Sequence, residues 1–150
     1  MIPRSVTKKE VEQTPYVIWN AFVDLIALEP YEDLSSEQRP AKLVFEYESQ
    51  VQNGGHFQYF ENRGAKYLEE TITALNILGA ICQQKILREA SAQWLSRSRK
   101  KIETAQEFCD TALEGEFTSF DSRFHACSPS LQQCLETYLD RNQAHFVAVT

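Results

Sequence analysis

Val51-Gln52-Asn53-Gly54-Gly55-His56-Phe57-Gln58-Tyr59-Phe60 is the stretch from which the rest of the chain is placed. Leu43, Tyr47 and Val51 lead into it at four-residue spacing, the mark of one apolar helix face. Two adjacent glycines then supply the backbone freedom a helix needs to stop and turn, so a helix end is predicted near Asn53. Phe57, Tyr59 and Phe60 follow, with Gln58 among them, before Asn62-Arg63-Gly64 signals a second stop. A short aromatic helix docked back on its predecessor is expected. Phe57 and Phe60 are assigned to the core, Asn53 to capping or backbone bonds beside Gly54 and Gly55, and Gln58 or Tyr59 to buried polar partners.

Outward from this stretch the chain reads as helices. Thr14-Pro15 gives a cap followed by proline at the first helical position, and Tyr16 to Leu28 forms an apolar helix ended by Pro30. Ser35 and Gln38 stand at capping-box spacing ahead of the helix that runs to Asn53, with Pro40 tolerated near its start. Leu68, Ile72, Leu75 and Leu78 stripe a helix from Ala65 to Leu78, and Cys82, Ile86, Ala90 and Trp94 stripe the next, from Ile81 to Leu95. Ile102 to Leu113 is amphipathic and closed by Gly115, Phe117 to Phe124 supplies an aromatic anchor helix, and Ser128-Pro129 caps a last helix to Asn142. Residues 1–13 read as a partly mobile arm or a frayed helix, and Phe146 to Val149 is β-prone. The expected fold is all-α: a single domain over residues 14–150, a compact bundle of about seven helices, several of them short.

Composition bounds the function. At 150 residues and 43% hydrophobic content the chain has a core of ordinary size and is not disordered. No apolar run approaches the ~18 residues of a membrane span and Met1 to Ser5 lacks a signal-peptide core, so a soluble, cytoplasmic protein without membrane contact is expected. Cys82, Cys109, Cys127 and Cys134 contain no C-x-x-C pair and read as reduced thiols, three of them among apolar residues. Cys127, Cys134, His125 and His145 match no zinc-ligand spacing, and neither metal nor cofactor is expected. No P-loop, G-x-G-x-x-G, H-E-x-x-H or G-x-S-x-G occurs, and no catalytic residue is assigned. The alternative is a small-molecule or hydrolytic cleft made of Asn53, His56, Gln58 and Tyr59.

The net charge of −6 is unevenly spread. Nine acids face two bases from Glu10 to Glu48, six bases face one acid from Lys85 to Lys101, and six acids stand without a base from Ile102 to Ser122. Such segregation favours oriented contact with a charged partner or a second copy of the chain. Glu103, Glu107, Asp110 and Glu114 fall at i, i+4, i+7 and i+11, on a helical stripe about 60° wide. Ile102, Ala105, Cys109, Ala112 and Leu113 lie opposite and are expected to face the core. A duplex of the same ~16 Å carries roughly ten charges against these four. Glu116 and Asp121 therefore join the partner-binding set, and Glu29, Glu32, Asp33 and Glu37 or a second subunit supply the remainder. The expected partner is a basic protein surface, such as that of a DNA-binding protein or of a basic toxin or nuclease. Arg97 to Lys101 has four bases in five residues, too short a run for a DNA-binding stripe, so direct nucleic-acid binding is not expected.

The stretch VQNGGHFQYFEN resembles the NGGF-x-QYF signature of a bacterial family of small proteins, domain of unknown function 4375, with His56 placed ahead of Phe57. ALNILGA at 74–80 and FDSRF at 120–124 are similar to further segments of that family, so the resemblance spans roughly residues 35–140. It implies the same fold and, through the family's characterised member, a dimeric DNA mimic whose surface carboxylates cover the DNA-binding face of a transcription factor. Those carboxylates lie outside the shared signature and are carried onto no numbered residue here.

Overall fold

A computed structural model describes residues 2–150 of the chain. Among the described residues eight α-helices make an all-α bundle: α1 (Lys8–Gln13), α2 (Val17–Leu28), α3 (Gln38–Arg63), α4 (Leu68–Ile77), α5 (Ile81–Leu95), α6 (Ala105–Leu113), α7 (Thr118–Ala126) and α8 (Leu131–Asn142). Helix α3 is the axis. It packs against α2, α4, α7 and α8, and Val44, Tyr47 and Val51 carry its buried stripe into a core shared with Phe22, Leu75, Leu87, Phe124 and Leu135.

The double glycine breaks this axis instead of ending it. Gly54 (φ −153°) and Gly55 (φ 72°) are non-helical, yet the helix resumes at once with His56 and runs on to Arg63. The expected stop near Asn53 and the short aromatic helix after it are thus both present, as two helical segments that meet at a kink with no loop between them. Local signals act as the spacing predicts at Ser35 and Gln38, whose side chains and backbone N–H groups bond reciprocally (3.2 and 2.9 Å). At α8 the cap moves from Ser128 to Ser130, because Gln133 three residues later completes a capping box there.

Long-range pairing adds what spacing does not show. Arg4–Val6 forms β1 and Val147–Val149 forms β2, and the two run parallel with Arg4 opposite Val147 and Val6 opposite Val149. The segment expected as an arm or frayed helix is therefore this strand followed by α1, whose Thr7 and Glu10 make a capping box. Cys82 and Cys127 form a disulfide joining the start of α5 to the end of α7, which corrects the expectation of four reduced thiols. Cys134 is a buried free thiol and Cys109 an exposed one. Among the described residues no helix is long and apolar enough to cross a membrane.

Candidate functional site

The signature stretch separates into an inner and an outer set. Inside, His56 is fully buried where the helix restarts. Its backbone N–H and its Nδ1 both lie against one oxygen of Asp121 in α7 (2.8 and 2.7 Å), and its Nε2 meets the Tyr47 hydroxyl (2.7 Å). The first turn of any helix has unsatisfied N–H groups and a partial positive charge, and Asp121 meets both needs from 65 residues away in sequence. The two ring nitrogens thus face different partners, Nδ1 the carboxylate and Nε2 the phenol. Burial holds the Tyr47 hydroxyl pKa well above its ordinary value. Phe60, Phe120 and Phe124 ring the imidazole, so this Tyr–His–Asp chain is walled by aromatic groups and fastens α7 to α3.

Glycine is required at both positions of the break. A side chain at Gly55 would collide with the Asp121 carboxylate, in a left-handed conformation that other residues rarely adopt. One at Gly54 would collide with the Gln58 side chain.

Outside, a ladder of amides spans the bend. Asn53 donates to the Gln58 side-chain oxygen (3.1 Å), and Gln58 and Asn62 both donate to Oε1 of Gln50 (2.9 and 2.7 Å). Tyr59 and Phe60 are core residues, with Phe60 stacked on Trp94 at 5.1 Å and 7°. Asn53, His56, Gln58 and Tyr59 therefore do not share a cleft. Two face inward, and the other two bond one another at the surface. A small hollow of about 70 Å³ lies at the glycine break, between Gly54, Phe57, Thr111, Gly115 and Asp121, and Phe57 also borders the larger cleft beside α6.

The acidic helix is turned differently from expectation. No residue of α6 is fully buried, and Leu113 is 85% exposed; Ala105, Cys109 and Ala112 also face solvent. Phe108 docks the helix instead, its ring 4.8 Å from that of Phe57. One aromatic ring removes more apolar area from water than several alanines, so it sets the rotation of a short helix. Glu107, Asp110 and Glu114 consequently line one wall of a cleft of about 400 Å³ whose other wall is Arg97 to Lys101. Glu103 precedes the helix, and its backbone N–H donates to Glu107 (3.1 Å). None of these four carboxylates has a salt-bridge partner among the described residues.

Glu116 and Asp121 are engaged within the molecule. Arg99 grips Glu116 with two parallel bonds (2.7 and 2.8 Å), and Arg97 adds a third at 2.6 Å. Arg99, then Arg97 and Gln93, hold the Glu116 carboxyl down at about 2. Half of the basic patch is thereby an internal clamp between the end of α5 and the start of α7, while Lys100 and Lys101 remain exposed. Glu29 is likewise paired, with Arg4 at 2.8 Å.

These features define a class: a helical domain whose axial helix is broken at a glycine pair and relocked by a buried Tyr–His–Asp chain, with unpaired acids on its surface. The chain belongs to the DMP19-like protein family, whose model matches residues 32–142, from the turn before α3 to the end of α8. No curated protein and no solved structure matches it.

Proposed function

We propose that this protein is a non-enzymatic binder of another macromolecule, and that it uses surface carboxylates to occupy the basic, nucleic-acid-binding face of a protein partner, as a DNA mimic does. Membership of the DMP19-like family supports the reading. The observation that carries it to residues is the row Glu107, Asp110 and Glu114, which stands beside Glu103 with no ion pair made to it among the described residues. Like charges placed one turn apart cost helix stability, and a basic partner would recover that cost and release its own counterions. Glu116 and Asp121 are left out of the contact set because each is already bound.

The test is affinity capture from cell extract on the wild-type chain and on Glu103→Gln/Glu107→Gln/Asp110→Asn/Glu114→Gln, at low and high salt. A partner retained only by the wild type at low salt, which binds duplex DNA and loses it when this chain is added, is the expected result. Equal capture by both chains, or capture indifferent to salt, refutes the proposal.

A further inference from the structure

A second groove lies between the 3₁₀ turn Tyr31–Asp33 and helices α3 and α4, about 390 Å³ in volume. Its floor is apolar, made by Pro40, Leu43 and Ala74, all buried, and Ile77 stands on its rim 52% exposed. One wall is held rigidly. Tyr31 lies against Tyr67, the ring centroids 4.1 Å apart and the planes tilted by 34°, and Arg39 lies over the Tyr31 ring while donating to the backbone carbonyls of Tyr31 and Glu32 (3.2 and 3.1 Å). The base lining the groove is thus turned to its own backbone. The opposite wall carries Glu69 and Glu70, while Glu32 and Asp33 follow Tyr31 in the turn just outside the lining; all four are exposed and without an ion pair among the described residues.

An apolar floor with a negative rim selects its occupant by charge. Nucleic acid and anionic lipid are repelled, and a bare row of phosphate-seeking cations would leave the floor wet. We infer that this groove docks a basic amphipathic helix of a protein partner, seating an apolar side chain on Leu43, Ala74 and Ile77 while lysines or arginines on either side of it meet Glu69, Glu70, Glu32 and Asp33. The inference rests on the acidic-binder reading and adds to it a place and an apolar anchor. A groove of this shape gives burial that charge matching alone lacks, so binding there persists in salt that strips a purely electrostatic ligand.

The test titrates two probes, an amphipathic helical peptide of leucine and lysine and an arginine homopolymer, into isotope-labelled protein followed by amide chemical shifts. The Leu/Lys peptide is expected to move the resonances of Tyr31, Ala74 and Ile77. Ile77→Ser, a change at a half-exposed position that is expected to leave circular dichroism unaltered, should weaken it by about tenfold or more, the scale of an interface anchor. Neutralising Glu107, Asp110 and Glu114 should leave its affinity unchanged. Binding of the peptide along α6, or equal affinity for Ile77→Ser, overturns the groove while leaving the acidic-binder reading intact. If neither probe binds the wild type at low salt, both fall.

Discussion

Asp121 accepts two hydrogen bonds from a single residue, and the local geometry makes the consequence measurable. Asp121→Asn preserves the shape but removes the charge facing the restarted helix and its buried histidine. A loss of about 1–2 kcal/mol is expected, read as a lower urea midpoint at unchanged slope. The glycines give a sharper contrast. Gly55→Ala must both adopt φ 72° and displace the carboxylate, so it should cost more than ~2 kcal/mol. Gly79→Ala has nearly the same φ (76°) and nothing near its added carbon, so ~1 kcal/mol is expected there. Thermal unfolding of the two variants side by side checks the difference. That Gly54-Gly55 marks a break was legible in the sequence. That His56 would be the most enclosed polar residue of the stretch was not, because its two partners stand nine residues before it and sixty-five after.

At the scale of elements, the end of α5 and the start of α7 are joined by Arg99, Arg97 and Glu116. Glu116 has a folded pKa of about 2 against an ordinary 4.5, so the clamp's contribution is complete above about pH 4.5 and fades as pH falls toward 2. Replacing Glu116 with Gln should remove about 1–2 kcal/mol at pH 7, below the full linkage value because Arg97 is open to solvent, and should flatten the acid limb of the stability curve. Denaturant unfolding at several pH values decides it. Elements whose periodicity matches their burial were read well: Ile81 to Leu95 is α5 residue for residue. Helix α6 was placed within a few residues but rotated, since a pattern of small apolar residues says which face is less polar and not which face wins the contact. Phe108 wins it through Phe57, a partner fifty-one residues back along the chain.

At the scale of the whole molecule, the Cys82–Cys127 bond joins residues 45 positions apart and closes a ring that contains most of α5, the basic segment, α6 and α7. Opening it frees that length of chain in the unfolded state, and a loss of about 3–4 kcal/mol is expected by the loop-entropy argument. Unfolding midpoints with and without a reductant, with Cys82→Ser/Cys127→Ser as the control that no longer responds, provide the check. Neither this bond nor the β1–β2 pairing follows from spacing, because both join residues that only the finished fold brings together. The helical periodicities carry the architecture; the pairing of charges across the molecule, which decides which acids are free to meet a partner, depends on contacts between residues far apart in the chain.

The parallel ribbon has a mechanical corollary. Because Arg4 lies beside Val147 and Val6 beside Val149, tension applied to the first and last residues pulls β1 backward and β2 forward along their common length. The rungs between them, with the flanking bonds from Arg4 to Phe146 (2.9 Å) and from Thr150 to Val6 (2.9 Å), then carry load side by side and must give way together. Stretched end to end, this small helical protein should resist in shear before any of its helices begins to uncoil.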